Sequence, residues 1–116
     1  MSHFLCPRCA ATALDIAGVV DLGADDDSDD RSLQQIACTA CPFTGVAFYE
    51  ESRRGSGDAY HHTAHDAPAA AAALARALAA CPTPRAASCT CPAHEDLRRS
   101  VTDHTWLGPS LPMRLA

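Results

Sequence analysis

The sequence predicts a small α+β domain in which three short antiparallel strands are followed by two helices. Three observations support this fold class. In the first half, apolar residues fall at alternate positions over residues 14–22, and in 46–50 Val46, Phe48 and Glu50 alternate with Ala47 and Tyr49, as in strands with one buried face. Residues 67–80 are rich in alanine, which favours a helix. Large apolar side chains are few in this chain of 116 residues, so we expect the seven cysteines to stabilise the fold through bound metals or disulfide bonds.

Each strand follows from its local sequence. The first strand, at residues 14–22, comes directly after a cysteine turn, and an aspartate-rich stretch at 25–30 predicts a solvated hairpin tip. Leu33 and Ile36 then lead back along a second strand to another cysteine turn. The third strand, at 46–50, ends at the turn "RRGSGD".

The helices are predicted from their ends. Asp66 is a candidate N-cap for the alanine-rich helix, since its carboxylate can accept a backbone N–H, and Pro68 is tolerated in the first turn. Cys81-Pro82 ends this helix. Pro92, as a first helical residue, predicts a second helix over 92–103. The chain therefore divides into a strand module at 1–52, an arginine turn and histidine linker at 53–66, and a helical module at 67–116.

Charge and hydropathy restrict the classes of partner. The net charge is −5, and all nine positive residues are arginine, so the chain lacks the basic excess that favours non-specific nucleic-acid binding. The N-terminus shows no basic segment followed by an apolar run, which predicts no signal peptide. The alanine-rich stretch is too short to cross a membrane and contains Arg76. We therefore expect a cytoplasmic protein, in which clustered cysteines are metal ligands or redox thiols rather than disulfides.

The first cysteine cluster consists of Cys6, Cys9, Cys38 and Cys41. Two Cys-x-x-Cys turns are separated by 28 residues, and each turn can direct both thiolates at one ion. Residues 3–50 resemble the zinc-ribbon superfamily through "CPRC" and "CTAC", which match its two knuckles. That resemblance implies a three-stranded zinc ribbon with a structural Zn²⁺ bound by the four cysteines. The chain departs from the family at Ala10 and Pro42, which stand where a glycine is usual after each second cysteine, with Gly45 displaced.

Two other chemistries fit parts of the first cluster. A Cys₄ set can also hold iron, as in rubredoxin-like sites, but this chain has few aromatic residues. The sequence Cys-Pro-x-Cys also occurs in thioredoxin-like redox proteins, but it is found there within a βαβ unit, which the strand pattern here does not predict. Zinc is the favoured metal.

The second cluster consists of Cys81, Cys89, Cys91 and His94. Cys91 and His94 would lie in the first turn of the last helix, where the helix dipole favours a thiolate. This Cys-x-x-His pair is similar to the second half of treble-clef zinc folds, which implies a second structural Zn²⁺ with a Cys₃His ligand set. The alternatives are that the three thiols are small buried hydrophobic groups or that a histidine of the linker supplies one ligand.

The segment "YHHTAH" contains His61, His62 and His65. With Glu50 or Glu51 these histidines could form an open catalytic metal site, and a zinc module followed by a histidine pair is loosely similar to HNH-type nucleases. No H-E-x-x-H motif is present, and the asparagine that characterises HNH nucleases cannot be matched. A solvated polar linker is therefore the favoured interpretation.

Arg53 and Arg54 stand together at the turn that follows the third strand. Paired guanidinium groups can bind a phosphate or a carboxylate. The alternative is that they are solvated or face the acidic stretch at 25–30 of the same chain.

These features together predict a zinc-binding protein with two structural Zn²⁺ ions that acts as a binding, adaptor or regulatory module. We expect a protein partner, contacted through Arg53, Arg54 and the histidine segment, and no recognised catalytic group points to an enzyme. One alternative is a metal-dependent hydrolase or nuclease that uses the histidine linker. Another is a zinc ribbon that binds nucleic acid, which the net charge disfavours.

Overall fold

The structure is a computed structural model, and it describes residues 4–24, 29–52, 59–103 and 105–115. Within these ranges the chain forms seven strands and two helices. In chain order they are β1 (Phe4–Leu5), β2 (Leu14–Ala24), β3 (Asp29–Cys38), β4 (Thr44–Ser52), β5 (Ala59–His65), α1 (Pro68–Ala80), α2 (Pro92–Ser100), β6 (Leu111–Pro112) and β7 (Arg114–Leu115).

All strands belong to one antiparallel sheet with the order β6-β5-β4-β3-β2-β1-β7. The two outermost strands are parts of the same C-terminal segment and are separated by one residue, Met113. β6 pairs with β5, whereas β7 pairs with β1 at the opposite edge. Because one short segment pairs with both edges, the sheet curls until those edges meet. The curled sheet therefore has a concave inner face and a convex outer face.

The predicted three-stranded zinc ribbon is wrong. The molecule is largely β, and the strands β1 to β5 form a curled sheet next to the two predicted helices. The largest difference is β5, because residues 59–65 were expected to be a linker. This strand lacks apolar alternation of its own, and it forms by pairing with β4, where Tyr49 lies opposite His62. Pairing of this kind depends on the neighbouring strand rather than on intrinsic propensity.

Both helices lie close to their predicted positions. α1 begins at Pro68, but its N-cap is Ala67, and no side chain caps it. Asp66 forms an ion pair with Arg8 instead, at 2.9 Å. α2 begins at Pro92 as predicted and ends at Ser100, three residues earlier than expected. Within the described ranges, neither helix is long and apolar enough to cross a bilayer.

Apolar side chains form one cluster on each face of the sheet. The outer cluster packs the sheet against the helices and contains Val20, Leu22, Leu33, Val46, Ala70, Leu74, Ala77 and Leu97. The inner cluster contains Cys6, Leu14, Ile36, Phe43, Ala47 and Ala64. β2 contributes to both, because its register shifts between Ile16 and Gly18. One extra residue at such a β-bulge moves the following side chains to the other face.

Candidate metal centres

The first group of four cysteines lies at one end of the sheet. Cys6 and Cys9 belong to the turn after β1, Cys38 ends β3, and Cys41 follows in the turn to β4. β1 and β3 are both paired with β2 at Leu14, so this strand holds the two cysteine turns side by side. The four sulfur atoms all lie within 4.8 Å of one another.

The distances between these sulfurs fit coordination of a metal better than disulfide bonds. Cys6 Sγ lies 3.7 Å from Cys41 Sγ, and Cys9 Sγ lies 3.7 Å from Cys38 Sγ. A disulfide requires about 2.05 Å. In a tetrahedron with metal–sulfur bonds of about 2.3 Å, neighbouring sulfurs are about 3.8 Å apart. The group can therefore hold a metal ion.

The backbone of the first turn favours a thiolate at Cys6. Burial by itself raises the pKa of this thiol. The backbone N–H groups of Cys9 and Arg8 donate to its sulfur and outweigh that effect, so that the pKa is lowered from its usual value to about 7. Their nitrogens lie 3.5 Å and 3.4 Å from Cys6 Sγ. Ala10 follows with φ of 62°, in the left-handed region that usually favours glycine. Alanine thus adopts the conformation for which zinc knuckles generally use glycine.

The second group joins the ends of the two helices. Cys81 is the C-cap of α1, and Cys91 is the N-cap of α2, with its sulfur accepting the backbone N–H of His94. Cys81 Sγ lies 3.6 Å from Cys89 Sγ and 3.3 Å from Nδ1 of His94. The four ligand atoms lie within 4.8 Å of one another, and Cys81 and His94 are buried. This group can also hold a metal ion.

A backbone contact determines which nitrogen of His94 can bind metal. Nε2 of His94 lies 2.6 Å from the carbonyl oxygen of Asp21. A carbonyl oxygen only accepts, so Nε2 carries the proton and donates. Nδ1 is then left with a lone pair directed at the thiols, as in histidine ligands whose other nitrogen is hydrogen-bonded. The spacing of cysteines and histidines gave no signal for this role of Asp21, because the contact uses a main-chain atom.

A second β-bulge in β2 docks the loop between the helices. The register of β2 shifts between Asp21 and Gly23, and backbone groups at this bulge face the loop. The Asp21 N–H donates to the carbonyl of Pro84 at 2.9 Å. Nε of Arg98 donates to the carbonyl of Leu22 at 3.0 Å. The second group is therefore fastened to the sheet as well as to both helices.

Thr83 is another residue that the sequence analysis missed. Its hydroxyl donates to Cys89 and, with the backbone N–H of Cys91, lowers the pKa of the Cys89 thiol to about 6. Each group therefore contains one thiol whose surroundings favour the thiolate form, which is the form that binds metals.

The three histidines of β5 are not brought together. Side chains alternate along a strand, so His62 faces the opposite side of the sheet from His61 and His65. Nε2 of His62 lies 2.6 Å from Oε1 of Gln34, and burial lowers the pKa of its imidazole. His61 is exposed. Within the described ranges, the groups that could hold a metal are the two cysteine-rich ones.

His65 has a structural role instead. Its Nδ1 lies 3.2 Å from the carbonyl oxygens of both Gly108 and Pro109, and its Nε2 lies 2.9 Å from Oγ1 of Thr63. Since the carbonyls can only accept, Nδ1 carries the proton and Nε2 accepts from the hydroxyl. The buried imidazole fastens the segment that leads into β6. Arg53 and Arg54 lie outside the described residues.

Comparison with known proteins adds no relative. No protein-family model, no curated protein and no solved structure matches this chain.

Proposed function

We propose that this protein is a small binding module stabilised by two structural zinc ions. The observation that carries the proposal is the number and spacing of ligand atoms. Each group supplies four ligand atoms within 4.8 Å, which is the number that a tetrahedral ion accepts. Structural zinc sites take four protein ligands, whereas catalytic zinc keeps one position for water or substrate. Complete ligand sets in both groups therefore support a structural role.

The chemistry of the ligands supports zinc as the metal. Three thiols and an imidazole, as in the second group, form a ligand set common in structural zinc sites. Four thiols suit either zinc or iron. The two Cys-x-x-Cys turns of the first group are similar to zinc-ribbon knuckles, although the sheet that they join is not a three-stranded ribbon. Zinc in both groups is the simplest assignment.

A groove between the helices supports the binding role. It has a volume of about 720 Å³, and its walls are formed mainly by alanines of α1, together with Leu97 and Trp106. Arg76, Arg99, Asp96 and Asp103 line the same groove, so both signs of charge are present. Apolar side chains beside charges of both signs favour a protein partner over nucleic acid. The second metal would hold this groove in shape, because it joins the ends of both helices.

Metal counting tests the zinc assignment. Protein purified without added metal should contain two zinc ions per chain by inductively coupled plasma mass spectrometry. Cys41→Ser and Cys91→Ser should each lower the count by one, because each removes a thiolate from a different group. Thr90→Ala is the matched control, since Thr90 is exposed between two cysteines of the second group, and it should keep both ions. Iron in either group, or unchanged counts in both serine variants, would contradict the assignment.

Activity and nucleic-acid binding test the role as a binding module. We expect no phosphodiester hydrolysis, and a turnover that His62→Ala abolishes would replace this proposal by the hydrolase alternative. In fluorescence anisotropy with random DNA and RNA, we expect no rise at low salt. A salt-dependent rise would instead indicate contacts with phosphates.

A further inference from the structure

The sulfurs of the two groups differ in their access to solvent. In the first group, Cys6 is buried with 2% of its surface exposed, whereas Cys9 is exposed. In the second group, Cys81 is buried, and Cys89 and Cys91 are partly buried. Cys9 is therefore the most accessible of the seven cysteines, all of which lie within the described ranges.

The sulfurs also differ in the hydrogen bonds that they accept. Cys6 Sγ accepts two backbone N–H groups, and Cys38 Sγ accepts the N–H of Ala40 at 3.3 Å. Within the described ranges, the contacts of Cys9 Sγ are with other sulfurs of the group, namely Cys38 Sγ at 3.7 Å and the thiol of Cys41. An N–H group that donates to a sulfur engages its lone pairs and makes it a weaker nucleophile. Cys9 thus combines exposure with a sulfur that is not weakened by N–H donors.

We propose that Cys9 is a site of reversible oxidation by peroxides, and that oxidation of Cys9 and Cys38 releases the metal of the first group. This inference rests on the proposed zinc in that group. The second group, with Cys81 and His94 buried, keeps its metal under the same conditions. The two centres then differ in function, since the first responds to oxidant and the second is purely structural.

The chemistry proceeds in two steps. The Cys9 thiolate attacks one oxygen of hydrogen peroxide, the O–O bond breaks, and a sulfenic acid forms as hydroxide leaves. The Cys38 thiolate then attacks the Cys9 sulfur, which forms a disulfide and releases a second hydroxide. Two electrons pass from the two sulfurs to the peroxide. The sulfurs need to approach by about 1.7 Å, from 3.7 Å to the disulfide length. Two of the four sulfurs that would hold the metal are then joined in the disulfide, and an added thiol reverses the oxidation.

The experiment uses the unaltered 116-residue protein with two zinc ions per chain, established by metal analysis. Hydrogen peroxide is added, zinc release is followed with a chromogenic chelator, and disulfides are mapped by peptide mass spectrometry. We expect one zinc per chain to be released together with a Cys9–Cys38 disulfide, and the second zinc to be lost at least about tenfold more slowly. Release of both ions at the same rate, or a first disulfide that lacks Cys9, would overturn the proposal.

A ligand-conserving variant separates reactivity from folding. Cys9→His keeps four ligands in the first group but removes the reactive sulfur, so peroxide should release that zinc at least about tenfold more slowly. Thr90→Ala is the matched control, because Thr90 is exposed and contributes no ligand, and it should leave the release of the first zinc unchanged. Equal release rates in Cys9→His and the unaltered protein would sink the idea.

Alkylation provides a measurement that does not depend on any variant. Iodoacetamide added to the zinc-loaded, unaltered protein should label Cys9 before any other cysteine. A first label elsewhere contradicts the inference, even if Cys9→His fails to bind two ions.

Protein that binds no metal in the first group would contradict the proposed function itself. Protein with both zinc ions and an unreactive Cys9 would contradict only the oxidation site.

Discussion

At the scale of single residues, Ala10 adopts a left-handed backbone conformation in the first cysteine turn. The turn closes through a hydrogen bond from the Ala10 N–H to the Cys6 carbonyl at 2.9 Å. Ala10 then turns the chain toward β2 with φ of 62°. An L-residue with a side chain pays roughly 1–2 kcal/mol for the left-handed conformation because its Cβ crowds the following carbonyl oxygen.

Ala10→Gly should therefore stabilise the protein. Glycine removes the crowding in the folded state but adds freedom to the unfolded chain, and this freedom offsets part of the gain. We expect a net increase of about 0.5–1 kcal/mol in the free energy of unfolding, measured by urea denaturation at a fixed zinc concentration. Ala11→Gly is the control, since Ala11 has no positive φ, and it should lower stability. A loss of stability in Ala10→Gly would show that the turn is not strained.

At the scale of elements, α2 is attached to β2 through two side chains one turn apart. His94 donates to the carbonyl of Asp21, and Arg98 donates to the carbonyl of Leu22. Arg98 also donates to the carbonyl of Ala87 at 2.6 Å, which ties the loop between the helices to the same place. These contacts satisfy main-chain groups that the bulge in β2 turns away from the sheet.

Arg98→Gln should destabilise the protein without changing the metal count. The variant loses charge-assisted hydrogen bonds to two carbonyls, and it leaves the carbonyl of Leu22 without this donor, which costs about 1–3 kcal/mol. Arg99→Gln is the matched control, because Arg99 is exposed and pairs with Asp96 on the helix surface, a contact worth about 0–1 kcal/mol. Thermal unfolding together with metal analysis distinguishes the two variants. Equal effects would show that the docking of Arg98 contributes little.

Cys91→Ser should loosen the connection between the helices. A structural zinc contributes on the order of 10 kcal/mol in small peptides, whereas burial of one large apolar side chain contributes about 1.5–3 kcal/mol. Without the second zinc we expect proteases to cut first in the loop at residues 82–90, followed by loss of α2. Limited proteolysis with mass mapping measures this. If Cys91→Ser loses one zinc and keeps full protection, the metal does not hold the loop.

At the scale of the whole molecule, the C-terminal segment closes the sheet. β6 and β7 pair with opposite edges, so the segment covers N–H and C=O groups that would otherwise be open to other chains. Met113 and Leu111 also pack against the inner cluster. A sheet with two uncovered edges is a template for association with further strands.

Truncation after Ser110 should therefore cause self-association. It removes both terminal strands but keeps the contacts of His65 with Gly108 and Pro109. Light scattering coupled to size-exclusion chromatography should show oligomers and a lower unfolding temperature. Arg114→Ala is the control, because the side chain of Arg114 is exposed and the main-chain pairing remains, and it should match the unaltered protein. A monomeric truncated protein of unchanged stability would show that pairing of the sheet edges with β6 and β7 neither prevents association nor stabilises the fold.

Local spacing by itself determined the grouping of the eight candidate ligands and the approximate extent of both helices. The eight residues that the sequence analysis grouped are those that the structure places in two groups, and metal binding by them stays a prediction. Cys-x-x-Cys turns, an N-cap cysteine and a proline at the start of a helix act over a few residues, so they are visible in the sequence.

The tertiary structure alone decided the curled sheet. β5 has a polar sequence and forms because β4 supplies its hydrogen bonds. The closing pair joins Phe4 to Leu115, at opposite ends of the chain. The carbonyl of Asp21 positions His94 through a main-chain atom that any residue would provide. Contacts of this kind join backbone groups that are far apart in the sequence. Every residue has the same backbone groups, so the order of side chains along the chain does not predict which of them meet.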